Sequence, residues 1–159
     1  KSIKYRGDIY GELNGKTHII EIKNVICATY DPKINLISPS EKFYDNTVPF
    51  SRSGIYPFGK KTQKWNDEKV VSSRSIRQID EMIKIIKNDN SATFTILFIV
   101  NRSDCNTFKP NWASDPIYCQ YLVKAKKAGI NLLAVKMHWN EKGCYFDSQL
   151  KVELNKWEN

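Results

Sequence analysis

The chain has 159 residues, with 25 Lys and Arg against 17 Asp and Glu, a formal net charge of +8. A hydrophobic content of 41% with 26% charged residues excludes a disordered or fibrous chain and suits one domain with a real core. The longest strongly apolar run, Ile96 to Val100, is far too short to span a bilayer, and the excess of cations favours an acidic partner, nucleic acid before membrane.

The predicted elements begin with a hairpin. Residues 3–13 and 16–26 flank Asn14-Gly15, a pair suited to a type I′ turn because both central residues need positive φ. Ile20, Ile22 and Ile26 share one face of the second arm, which is expected to pack on the core. Residues 30–64 read as a long insertion rich in Pro, Ser and aromatics, with a short strand expected near 34–37. Ser72 or Ser73 then caps a helix through Lys87, with Ile76, Ile79, Ile83 and Ile86 as its apolar stripe. Residues 93–100 read as a buried central strand, and residues 101–114 as a loop. Asp115-Pro116 starts a second helix that ends at Gly129. Strand 130–138 and a last strand near 144–153 follow, joined at Glu141-Lys142-Gly143. The order is β-β-α-β-α-β-β, a mixed α/β domain in which helices flank a mixed sheet.

The excess charge is patchy. Pro49–Trp65 and Pro116–Asn140 contain no Asp or Glu, and they carry Arg52, Lys60, Lys61, Lys64, Lys124, Lys126, Lys127 and Lys136. These eight cations equal the net charge. The first group, in the insertion, is a candidate nucleic-acid contact, with the alternative of a solvated surface. The four cysteines form no CxxC pair, and only His18 and His138 could join them. Reduced thiols in an intracellular protein, cytoplasmic or nuclear, are expected rather than a zinc site.

A constellation for chemistry lies in the first hairpin. A two-residue turn at Asn14-Gly15 pairs residues whose numbers sum to 29, placing Asp8 opposite Glu21 and Arg6 opposite Lys23. Glu21 and Lys23 project from one face of their strand. Directly opposed residues have Cβ atoms about 4.5–5.5 Å apart, so two facing carboxylates need something between them. A divalent cation, Mg²⁺ or Mn²⁺, resolves the conflict. Asp8 and Glu21 as metal ligands, with Lys23 orienting water or phosphate, form the set that metal-assisted phosphodiester hydrolysis needs. This D…ExK pattern fits a restriction-endonuclease-like, PD-(D/E)xK core. The alternative is an exposed hairpin whose charges neutralise one another. Arg74 and Gln78, one turn apart on the first helix and opposite its isoleucines, are candidates for phosphate binding and positioning. His18 alternates with this face and is expected to be structural.

From about Trp65 onward the chain resembles the sugar fermentation stimulation protein (SfsA) family. The residues that carry the likeness are Trp65-Asn66-Asp67, Arg74-Ser75-Ile76-Arg77-Gln78-Ile79, Leu97 to Arg102, Phe108-Lys109-Pro110, Asp115-Pro116-Ile117-Tyr118 and Ala128-Gly129-Ile130. Upstream, Asp8 and Glu21-Ile22-Lys23-Asn24-Val25 look like the family's acidic strand and its following x-K-(S/N)-V strand. Ser75 and Gln78 stand where the family has Gly and His. The resemblance implies a nuclease-like α/β domain with DNA-binding character. Residues 1–159 would be the single C-terminal domain of that architecture, without the OB-like domain that precedes it in the family. The functions that follow are a DNA-binding domain that cleaves phosphodiesters with Mg²⁺, or a catalytically inactive DNA-binding regulator or protein-interaction module on the same fold.

Overall fold

Asn14 and Gly15 take φ values of 53° and 73°, as a type I′ turn requires. They join β1 (Ile9–Leu13) to β2 (Lys16–Val25) in the expected register, from Ile9 opposite Ile20 to Leu13 opposite Lys16. The computed structural model describes residues 5–29, 52–88 and 91–155. After β2 come β3 (Cys27–Ala28), β4 (Arg52–Tyr56), β5 (Gln63–Trp65), β6 (Glu68–Val70) and α1 (Ser73–Asn88). β7 (Ala92–Val100), β8 (Cys105–Pro110), α2 (Pro116–Lys127), β9 (Asn131–Asn140) and β10 (Gly143–Val152) complete the order.

Eight strands form one sheet in the order β1-β2-β7-β9-β10-β8-β4-β3, and β5 and β6 form a separate hairpin. β2, β7 and β9 run parallel. β10 returns antiparallel to β9, then pairs in parallel with β8, which is parallel to β4. The result is the expected mixed α/β architecture. No helix among the described residues is long and apolar enough to cross a membrane.

Alternation along β7 buries Phe94, Ile96, Phe98 and Val100 in one cluster with Ile76, Ile79 and Met82 of α1 and Tyr118, Leu122 and Ala125 of α2. Each such side chain contributes about 1.5–3 kcal/mol when fully buried. Asp115 caps α2 by accepting from Tyr118 N, Pro116 occupies its first turn, and Gly129 leaves it at φ 91°. An aromatic cluster ties the far half of the sheet to this core. Phe98 stacks on Phe108 of β8 with centroids 4.1 Å apart, and Tyr56 of β4 meets Tyr118 edge-on at 5.4 Å.

Several expectations need correction. Part of the insertion is strand: β4 sits beside β8 in the main sheet, while the strand expected near 34–37 lies outside the described residues. Residues 105–110, read as loop, form β8 between β10 and β4. Their Asn, Asp and Pro content masks a pattern that buries Cys105, Phe108 and Pro110. The face of β2 that enters the core is the opposite one. Ile19, Glu21, Lys23 and Val25 are buried, Ile20 and Ile22 are half-buried, and Ile26 is exposed. The physical reason is that Glu21 and Lys23 neutralise each other and find further partners beneath α1, so their burial carries no unpaired charge. The cysteines are free thiols: Cys105 and Cys119 are buried, and Cys144 is exposed. Burial pushes the Cys105 thiol up to about 11.

Candidate functional site

β2 delivers Glu21 and Lys23 to the same side two residues apart, and α1 lays Gln78 across them. Lys23 Nζ donates to Glu21 Oε1 at 2.7 Å and to Gln78 Oε1 at 2.8 Å, and Gln78 Nε2 donates to Glu21 Oε1 at 2.6 Å. The amide orientation follows from its neighbours, because an ammonium only donates and a carboxylate only accepts. Tyr5 closes the set by donating to Glu21 Oε2 at 3.0 Å. Burial, and then the Glu21 charge, hold the Tyr5 phenol well above its ordinary range, so it stays a donor. Glu21, Lys23 and Gln78 are only 4%, 8% and 9% exposed. Gln78 therefore does not lie on the outer helix face where its spacing placed it. It sits on the flank that meets the sheet, drawn in by the ion pair.

Asp8 departs from the expected register. The paired ladder begins at Ile9, and Asp8 N donates instead to Ile20 O while its Oδ2 accepts from Ile22 N at 2.7 Å. The cause is a bend held by the Tyr10 hydroxyl, which donates to Tyr5 O at 2.6 Å and accepts from Gly7 N at 2.9 Å. Asp8 is exposed beside the Glu21–Lys23 strand rather than opposed to Glu21 across a ladder. Arg6 likewise leaves the ladder and does not sit opposite Lys23.

The bend and the helix enclose a polar cleft of about 500 Å³. The segment Tyr5–Asp8 forms one wall, and Arg74, Arg77, Gln78 and Glu81 of α1 form the other. Tyr5 and Gln78 each line the cleft and touch Glu21, so they connect the cleft to the buried ion pair. Arg6, Arg74 and Arg77 give it three guanidinium groups. Tyr5, Arg77 and Glu81 were not among the sequence candidates. The last two were recognisable by helical spacing, since residues 74, 77, 78 and 81 recur on one face. Gly7 is required at the bend, because a Cβ there would run into Ile19 Cγ2, a fully buried side chain. Gly7→Ala is expected to destabilise the domain by about 1–3 kcal/mol, as overpacking does, measurable by urea unfolding.

The other cations divide. Arg52 is not on a binding surface. It is 3% exposed, its Nε lies 3.3 Å from Asp104, and its Nη1 donates to Thr29 O. Hydrogen bonds from Arg102 hold the Asp104 carboxyl below its ordinary range. Lys60, Lys61 and Lys64 are exposed, on the loop and hairpin that adjoin the start of α1, where Gln63 Oε1 accepts from Ser73 N and Oγ. His18 lies 2.7 Å from Thr93 Oγ1 and 3.2 Å from Thr95 Oγ1 on β7, as a structural residue does.

A mixed sheet that presents Glu21 and Lys23 from a parallel strand, with a helix glutamine over them, defines a domain of the restriction-endonuclease-like class. The family model described as sugar fermentation stimulation protein RE domain matches residues 69–143. A sugar fermentation stimulation protein homolog of Carboxydothermus hydrogenoformans is 32% identical over 81 residues, covering 51% of this chain and 34% of that protein. One from Methanobrevibacter smithii is 34% identical over 65 residues, covering 41% and 26%. The solved structure of Pyrococcus furiosus SfsA in complex with Ca²⁺ shares the fold, with a TM-score of 0.65 at 21% identity over 94% of this chain and 51% of that one. Over residues 69–143, just under half of its length, the chain is similar to the SfsA family. Its matches span about a quarter to a third of the length of these curated relatives.

Proposed function

We propose that the domain binds nucleic acid, with DNA the first candidate, and hydrolyses its phosphodiester bonds with Mg²⁺ or Mn²⁺. The observation that carries this reading is the Glu21–Lys23–Gln78 set in contact with an arginine-lined cleft. The donor set fits a hydrated divalent ion. A carboxylate has about four lone-pair sites, of which Lys23, Gln78 and Tyr5 use three on Glu21, and Asp8 presents its Oδ1. Among the described residues no group of three or more His, Cys, Asp or Glu side chains is placed to hold a metal. Two carboxylates suit an ion that keeps most of its waters, as Mg²⁺ does, better than a full protein cage for Ca²⁺. The relative with Ca²⁺ bound supports a divalent ion in this fold.

Asp8 and Glu21 would hold the ion, which supplies a water of lowered pKa and positive charge for the phosphoryl oxygens. Lys23, held by Glu21 and Gln78 as acceptors, would meet the charge that develops on the phosphate from an already fixed position. Gln78 fixes both partners of the ion pair. Tyr5, a permanent donor, orients Glu21. Arg74, Arg77 and Arg6 neutralise the strand's phosphates, and Lys60, Lys61 and Lys64 extend that surface.

The test is cleavage of end-labelled single- and double-stranded oligonucleotides with Mg²⁺, with Mn²⁺ and with EDTA. Lys23→Ala is expected to slow cleavage by about 10²–10³-fold while binding persists. Equal rates for wild type and Lys23→Ala would sink the catalytic assignment. A second reading, binding without cleavage, is favoured by one observation: both Glu21 oxygens already accept hydrogen bonds from the protein itself. It requires salt-sensitive binding that needs no metal and survives Glu21→Ala.

A further inference from the structure

We infer that the surface leading out of the cleft is a track for an unpaired nucleic-acid strand, with Phe58 as a base-stacking platform; this rests on the proposed nucleic-acid binding and names the form of its substrate. Phe58 is 55% exposed, and the basic residues Lys60, Lys61 and Lys64 that follow it are exposed as well. Two proximities place this loop against the start of α1. A Cβ on Gly59 would lie 3.4 Å from Val71 Cγ1, and Gln63 accepts two hydrogen bonds from Ser73. Val71 and Ser73 lead directly into Arg74, which lines the cleft with Arg77. No ion pair among the described residues engages Arg6, Arg74 or Arg77, so their charge is available to a ligand. The path therefore runs from cleft arginines, over the start of α1, to a phenyl ring flanked by lysines.

That composition distinguishes between strand forms. Cations serve the phosphates of either form, but an exposed ring stacks only on a base whose face is open, and duplex bases are hidden in their own stack. A cleft of about 500 Å³ is also of the size that takes a small molecule such as a nucleotide.

Anisotropy titrations in EDTA at low salt would compare an oligothymidylate strand with a duplex of equal length. The wild-type chain is expected to bind the single strand more tightly. Phe58→Ala, at an exposed position, should weaken that binding about tenfold while leaving its salt dependence and duplex binding unchanged. The double variant Lys60→Ala/Lys61→Ala should instead flatten the salt slope by about 1.4, roughly 0.7 for each phosphate no longer neutralised. Equal affinity for the two forms, or an unchanged Phe58→Ala, overturns the inference and leaves phosphodiester chemistry standing. Failure to bind either form at low salt overturns both.

Discussion

Glu21→Gln is expected to lower stability by about 3 kcal/mol, more than most single substitutions, because it strands the Lys23 ammonium beneath α1. Lys23 would keep one neutral acceptor, Gln78 Oε1, in a site where its side chain is 9% exposed. Lys23→Met is the milder change. Glu21 then retains donors from Gln78 and Tyr5, and the methionine stem fills the same volume. The double variant Glu21→Gln/Lys23→Met removes both charges together and should cost less than the sum of the two, by a coupling of about 1–3 kcal/mol. Thermal denaturation gives the test: a fall in Tm of roughly 6–12 °C for Glu21→Gln and a partial recovery in the double variant. Additive effects would show that the two charges are solvated separately, and the buried network would be refuted. The same cycle separates folding from chemistry. If the proposed nuclease chemistry operates, the double variant should fold yet cleave nothing, since it lacks both the carboxylate proposed to hold the ion and the ammonium.

The cycle also shows why this centre was only half legible in the sequence. Alternation along β2 is a signal of period two, and it identified correctly that Glu21 and Lys23 share a face. It assigned that face to solvent because isoleucines occupy the other. The assignment reversed because the pair is neutral as a unit and Gln78, 55 residues away from Lys23, completes its hydrogen bonding. No local pattern carries that information. α1 and β7 were readable for the converse reason: the isoleucine spacing and the uncharged β-branched run each satisfy one local rule and the tertiary packing agrees with it. Asp8 was misplaced by one step because ladder arithmetic assumes regular backbone, and the Tyr10 hydroxyl bends the chain just before the ladder begins. Arg52 shows the limit of counting charge along a chain. An acid-free stretch around it looked basic, yet Asp104 reaches it through the β4–β8 pairing.

Asp115→Ala is the second large effect, and it acts on the site from a distance. Asp115 is fully buried. Its Oδ1 accepts from Tyr118 N at 3.0 Å, and its Oδ2 accepts from Val71 N at 2.7 Å and Ser72 N at 3.4 Å. One carboxylate thus caps α2 and also fastens the segment that enters α1. α1 has no acidic residue in its own first turn, so this anchor and the Gln63 contact position its start. Losing the cap costs about 0.5–2 kcal/mol, and leaving the Val71 N–H without a partner adds about 1–3 kcal/mol. The expected total is about 1.5–5 kcal/mol, a fall in Tm of roughly 3–20 °C. Asp115→Asn should lie between wild type and Ala. Its single amide oxygen can serve Tyr118 N or Val71 N, while its NH₂ would face the other donor. Because Arg74, Arg77 and Gln78 all ride on the first turns of α1, Asp115→Asn should also weaken nucleic-acid binding at temperatures where it is still folded. A variant with wild-type Tm would show that the carboxylate is not the joint between the two helices. One with lowered Tm but unchanged binding would show that α1 holds its place through the sheet alone.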